Sequence, residues 1–197
     1  MRVSHEAPPE GRRRSLWALL GLRPAYAEHS ERDERILRRL AAHARAIVEI
    51  GSAEGTSALA MRESMPPDGR LWCVDPYVSR IPGLSPRERV AHRVVRGSAN
   101  GTVTWLKARG ADAGRSWTGP RVELLFVDGD HSFEGVSADW VAWSPHLADD
   151  AAVVFDDAVG AAAGWGPSRL LDEVVLAQGS AWRLEETGDR YAVVRRD

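Results

Sequence analysis

Two short stretches concentrate the side chains capable of chemistry. Leu124-Leu125-Phe126-Val127-Asp128-Gly129-Asp130-His131-Ser132 runs from an apolar, strand-like segment into a polar cluster, and Ala152-Val153-Val154-Phe155 runs into Asp156-Asp157. If the two segments are neighbouring parallel strands, their carboxyl ends converge, and Asp128, Asp156 and Asp157 can share one coordination sphere. Carboxylates crowded at the edge of an apolar sheet repel one another, and either protonation or a bound cation relieves them. A hard divalent ion is the economical answer: oxygen-only ligands suit Mg²⁺, with Mn²⁺ or Ca²⁺ acceptable, whereas zinc prefers nitrogen or sulfur. The plainer alternative has Asp156 and Asp157 capping a loop and Asp128 capping a helix. His131 follows Asp128 by three residues, within reach of a ligand on the same ion, where a neutral imidazole can accept a hydroxyl proton. The alternative for it is an ordinary surface histidine.

A second constellation is Ile47-Val48-Glu49-Ile50-Gly51-Ser52-Ala53-Glu54-Gly55-Thr56-Ser57. An apolar strand carrying an acidic residue runs into two glycines and then a helical pattern. Glycine lacks a Cβ, so the backbone can turn tightly and approach a bulky ligand where open α/β sheets bind them. Gly51, Ser52, Gly55 and Ser57 are the candidate contacts, and Glu49 can receive a cationic amino group, directly or through water. The spacing is neither the dinucleotide G-x-G-x-x-G nor the phosphate loop with its lysine, which weakens NAD and ATP as ligands. A plain strand-to-helix turn is the competing reading. Leu71-Trp72-Cys73-Val74 then ends in Asp75, where a carboxylate can accept both hydroxyl protons of a ribose, or simply serve the turn before Pro76.

These residues need a sheet to hold them. Short β-branched runs at Ala46 to Ile50, Leu71 to Val74, Arg93 to Val95, Val122 to Val127 and Ala152 to Phe155 read as buried strands. Helical stretches lie between most of them: Ile36, Leu37 and Leu40 before the first, Ser57 to Met65 after it, and Val136, Trp140, Trp143 and Leu147 along one stripe after the fourth. Such alternation implies a parallel sheet with right-handed crossovers. Ala181 to Glu186 and Arg190 to Arg195 flank Thr187-Gly188-Asp189 and predict a terminal antiparallel hairpin. The expected fold is a single Rossmann-like α/β domain with a mostly parallel seven-stranded sheet. Residues 31–197 would form it and residues 1–30 an N-terminal arm. Ala158 to Pro167, rich in Ala and Gly and containing Trp165, reads as a mobile rim loop.

The 197 residues suffice for one such domain and no second. A net charge of -2 argues against nucleic acid as a partner, and no apolar run is long enough to span a membrane. A small molecule is the expected partner. Cys73 is the only cysteine, so no intramolecular disulfide exists, which agrees with a reducing cytoplasmic location. Arg12-Arg13-Arg14 followed by Leu16 to Leu20 superficially resembles a signal peptide, but Arg23 and Pro24 interrupt it, so an amphipathic arm is expected that could cap the site or a homodimer. Most of the eight tryptophans are expected in the core.

Taken together, V-E-I-G-S-A-E-G-T-S-A, F-V-D-G-D-H-S-F-E-G-V and V-V-F-D-D resemble the class I S-adenosylmethionine-dependent methyltransferases. The resemblance is to the family that includes macrolide-sugar O-methyltransferases and cephalosporin hydroxylase-type proteins, with catechol O-methyltransferases more distant. It extends from Ile47 to Asp157, and D-G-D-H-S is its most specific part. It implies S-adenosylmethionine as cofactor, metal ligands at Asp128, Asp156 and Asp157, and a base at His131. It also implies an adenine contact at Gly97 to Asn100, hence Ser98, and a cofactor contact at Asp128. The expected reaction is methyl transfer to a hydroxyl of a sugar, diol or catechol-like acceptor, with a divalent ion making that hydroxyl more acidic. The chain lacks the long N-terminal domain of those relatives. Competing readings are a metal-independent methyltransferase with Asp128 and His131 as a direct acid/base pair, a non-catalytic adenosyl-binding protein, and an NAD-dependent oxidoreductase.

Overall fold

In the computed structural model, residues 1–8, 15–79 and 84–196 are described; Arg12, Arg13 and Arg14 lie outside them. The chain runs β1 (Val3–Ser4), α1 (Ser15–Leu19), β2 (Ala25–Tyr26), α2 (Glu31–Ala41), β3 (Ala46–Ile50), α3 (Thr56–Ser64), β4 (Arg70–Val74), α4 (Pro86–Val95), β5 (Thr102–Leu106), α5 (Gly110–Arg115), β6 (Val122–Val127), α6 (Phe133–Trp143), β7 (Leu147–Phe155), α7 (Gly166–Leu170), β8 (Trp182–Thr187) and β9 (Ala192–Arg196).

The main sheet has seven strands in the order β5-β4-β3-β6-β7-β9-β8, parallel except for β9, which pairs antiparallel with β7 and β8. This is the expected Rossmann-like α/β architecture with a C-terminal antiparallel hairpin. From β3 the chain builds outward through β4 and β5, then returns to lay β6 on the opposite side of β3. That reversal opens a crevice at the carboxyl ends of β3 and β6.

Strand alternation divides the core. Val48, Ile50, Leu125, Val127, Val153 and Phe155 face Val136, Trp140 and Trp143 of α6. On the other face Ile47, Leu124, Phe126 and Val154 meet Ile36, Leu37 and Leu40 of α2 and Ala58 and Met61 of α3. Because both faces are covered, the central strands are mostly apolar, with Glu49 a buried exception in β3. Trp140 and Trp143 belong to this core, whereas Trp165 is exposed.

Two expectations need correction. Arg93 to Val95 is the last turn of α4, not a strand. Ser85 accepts a hydrogen bond from the Glu88 amide, Pro86 opens the helix, and Val90, Ala91, Val94 and Val95 bury one helical stripe. The third parallel strand is instead Thr102–Leu106, an edge strand whose residues are half-buried or exposed. The segment after β7 is also more regular than a plain loop, with a 3₁₀ turn at Gly160–Ala162 before α7.

The N-terminal residues form a separate two-stranded parallel ribbon of β1 and β2. Arg23 forms a buried ion pair with Glu54 of the glycine loop, and the Tyr26 amide donates to the same carboxylate at 3.0 Å. The arm is thereby fastened beside the crevice.

Candidate active site

A cleft of about 970 Å³ opens where the strands β3, β4, β5 and β6 end, within the size range of small-molecule sites. Gly51, Asp75, Asp128, Gly129, Asp130 and His131 line it.

The loop after β3 passes so close to the end of β6 that a Cβ on Gly51 would lie 1.8 Å from the Asp128 carbonyl oxygen, and its φ of +86° suits glycine alone. Gly51 therefore sets the junction of the two strand tips. Gly55, at φ +80°, serves another contact, since a Cβ there would meet Ala91 Cα of α4 at 2.9 Å. It lets two helices approach, and it does not line the cleft. Beneath the loop, Glu49 is fully buried and accepts a hydrogen bond from the Ser57 hydroxyl, while its Oε2 and the buried Ser52 hydroxyl lack partners. Burial pushes the Glu49 carboxyl up to about 7, ahead of the opposing effect of Ser57. Glu49, Ser52 and Ser57 thus form a polar floor under the loop.

Asp75 braces the same loop from β4. Its Oδ2 accepts from the Ser52 and Ala53 amides at 3.2 Å each, and Oδ1 accepts from the Tyr77 amide at 2.7 Å. A carboxylate has capacity for further donors on the cleft side. Ser98 is not brought here. It sits before β5, at the amino end of the sheet, where its hydroxyl accepts from the Asn100 amide at 3.1 Å. The expected contact followed from Arg93 to Val95 as the third strand, whereas these residues are the last turn of α4. The residues that do follow the third strand into the cleft are Arg109, Gly110, Ala111 and Asp112. The alternating Thr102-Val103-Thr104-Trp105 was the signal that could have found them.

At the end of β6, Asp130 accepts from the Ser132 amide at 2.9 Å and Ser132 caps α6 by accepting from the Gly135 amide at 3.0 Å. The two fix the turn that carries His131. The His131 side chain is 40 % exposed, with Nδ1 3.4 Å from Asp157 Oδ2 and Nε2 3.9 Å from Asp128 Oδ1. Burial, followed by the like charge of Asp156, pushes the Asp128 carboxyl well above the carboxylate range. Asp157 adopts φ +50°, an uncommon conformation that aspartate tolerates better than most residues.

Arg190, which the sequence did not flag, enters this cluster from the turn between β8 and β9. Its Nη2 lies 2.8 Å from Asp156 Oδ2 and 2.7 Å from Asp157 Oδ1. The signal for it was register: Phe155 pairs with Ala192, so the residue two before Ala192 falls opposite Asp157. One guanidinium does not balance three carboxylates, and Asp156 Oδ1 remains buried without a hydrogen-bond partner. The oxygen-rich donor set and that orphaned oxygen fit a hard divalent cation. Even so, the trio of potential metal ligands that converges among the described residues, with donor atoms within 4.8 Å of one another, is His5, His29 and Glu34.

Comparison with known proteins agrees with this fold. The family model described as a methyltransferase domain, Methyltransf_24, matches residues 48–158. No curated protein sequence matches. Among solved structures, a Corynebacterium glutamicum protein is 23% identical with a TM-score of 0.67, over 91% of this chain and 85% of the other. The O-methyltransferase TomG of Streptomyces achromogenes, involved in tomaymycin synthesis and solved with S-adenosylmethionine, is 20% identical with a TM-score of 0.66, over 95% and 88%. An O-methyltransferase from Bacillus cereus, solved with S-adenosylhomocysteine, is 15% identical with a TM-score of 0.66, over 96% and 92%.

Proposed function

Given that the chain belongs to the methyltransferase-domain family, with more than half its length matched, we propose that it transfers a methyl group from S-adenosylmethionine to a hydroxyl of a small molecule. The observation that carries this reading is the cleft itself, which brings Gly51, Asp75 and Asp128 to one wall and His131 to the same rim. When bound, S-adenosylmethionine supplies an activated methyl on a sulfonium, and a divalent ion would supply a Lewis acid for the acceptor oxygen.

The chain's own residues then divide the remaining work. Asp75 accepts ribose hydroxyls while its backbone contacts hold the glycine loop in shape. The floor residue Glu49 answers the positive charge of the cofactor's amino-acid end, directly or through water, supported by Ser57. His131 takes the acceptor proton at Nε2, since Nδ1 faces the Asp157 carboxylate and is oriented by it. Asp128, Asp156 and Asp157 would hold the divalent ion, Mg²⁺ being the best match to oxygen donors. The acceptor class of sugar, diol or catechol-like compounds is the one that such an ion favours, and natural-product biosynthesis is the setting we propose for it.

The contacts of Arg190 favour a second reading, in which this guanidinium is the only cation at the aspartates and transfer needs no metal. The test is turnover of a panel of hydroxylated acceptors with EDTA and with added Mg²⁺. Loss with EDTA and recovery with Mg²⁺ support the metal-assisted reading. Turnover that survives EDTA but falls in Arg190→Met supports the second.

A further inference from the structure

Apart from the residues that line the cleft, the arm and α2 bring together a different donor set. His29 immediately precedes Ser30, the N-cap of α2, and Glu34 lies in the first turn of that helix. His5 follows β1, which pairs with β2, and it reaches Glu34 in the first turn of α2. His5 Nε2 lies 2.9 Å and His29 Nε2 3.4 Å from the same oxygen, Glu34 Oε2. For metal–ligand bonds of 2.0–2.1 Å at tetrahedral angles, donor atoms stand roughly 3.3 Å apart. The observed separations already bracket that edge.

Three further features point to an ion. The His29 side chain is only 5 % exposed, and its Nε2 is buried without a hydrogen-bond partner. That nitrogen has the Glu34 carboxylate before it, at 3.4 Å, a separation that an ion between them would satisfy better than the long ion pair does. Arg38 Nε donates to Glu34 Oε1 at 2.7 Å, so one carboxylate oxygen is held while the other is turned to the histidines. The His5 and His29 rings meet edge to face with centroids 5.6 Å apart, so the two imidazoles already pack together beside the Glu34 carboxylate.

We propose that His5, His29 and Glu34 bind one zinc-class transition-metal ion, with water in the fourth position, and that this ion staples the N-terminal arm to the catalytic domain. Two imidazoles and one carboxylate select such an ion over Mg²⁺, which the aspartates at the strand tips suit instead. The staple bears on the cleft, because Glu28, adjacent to His29, lines it and its carbonyl accepts from Arg190.

Full-length protein stripped with chelator is titrated with Zn²⁺ against a chromogenic competitor, and with Co²⁺ followed by visible absorption. Wild type is expected to take up one equivalent of Zn²⁺ and to give the d–d bands of a four-coordinate Co²⁺ site. Changes outside the ligand sphere already cost about 10–100-fold in affinity. Loss of a ligand in His5→Ala or Glu34→Gln is therefore expected to cost at least ~100-fold. His5 is one-third exposed, so His5→Ala should keep the fold, checked by its melting temperature. Asp128→Asn should leave zinc uptake unchanged. Absence of stoichiometric uptake, or uptake lost in Asp128→Asn but retained in His5→Ala, overturns the proposal.

Discussion

Glu49 shows how one buried side chain couples stability to pH. Its carboxyl is raised from 4.5 to about 7, chiefly by burial. The sign follows from linkage: a raised folded-state pKa contributes stability that is fully present below pH 4.5 and lost as pH rises through about 7. Glu49→Gln should therefore melt higher than wild type at pH 8, with the difference closing toward pH 4.5. Each kcal/mol corresponds to roughly 2–4 °C for a chain of this size. Equal melting temperatures across that range would show that the side chain is hydrated or paired in solution. At the rim of the cleft, His131→Ala is expected to lower kcat by about 10²–10⁴-fold, the usual yield of a positioned base. Calorimetric affinity for S-adenosylhomocysteine should stay within a factor of about three; a variant with near wild-type kcat removes the base role. The neighbourhood of Asp128, Asp156 and His131 was legible because adjacent parallel strands bring their tips together. Arg190 was not, since it reaches the cluster from another strand pair and depends on antiparallel register.

Between elements, glycine contacts fix the geometry. Gly51→Ala places a Cβ inside contact distance of the β6 backbone, and Gly55→Ala does so against α4, both at positive φ. Backbone strain of this kind costs about 1–3 kcal/mol per residue before any clash is added. Urea unfolding should show that loss in both variants. Gly51→Ala should also weaken cofactor binding, because it lines the cleft and Gly55 does not. Unchanged midpoints would mean that the strand tips are further apart than described. The four central parallel strands other than β5 were readable from apolar runs bounded by acidic or glycine residues. The strand β5 escaped because its edge position leaves alternate residues exposed, weakening the apolar signal. The short run Arg93-Val94-Val95 took its place on β-branched composition, although Ser85-Pro86 and Glu88 carried a helix-start signal that outweighs three residues.

For the whole molecule, the arm is the part that sequence patterning described least well. Its ribbon and α1 are short, and they are held by the packing of Ala18 and Ala25 on Val90 and Val94 of α4 and by the Arg23–Glu54 pair, both side chains 5 % exposed. Breaking a buried ion pair by removing one member costs about 3–5 kcal/mol in comparable cases. Glu54→Ala should therefore destabilise the protein by that order in urea unfolding and expose the arm to limited proteolysis; a wild-type digestion pattern would show the pair to be dispensable. No helix among the described residues is long and apolar enough to cross a membrane.

The account turns on an adenosyl ligand seated at the tips of β3, β4 and β6. Calorimetric titration with S-adenosylhomocysteine, comparing wild type with Asp75→Ala at matched folding, addresses this directly. One site per chain is predicted for wild type, with affinity reduced at least tenfold, about 1.4 kcal/mol, in the variant. Absence of binding to the wild-type protein, or equal affinity in the two, would contradict it.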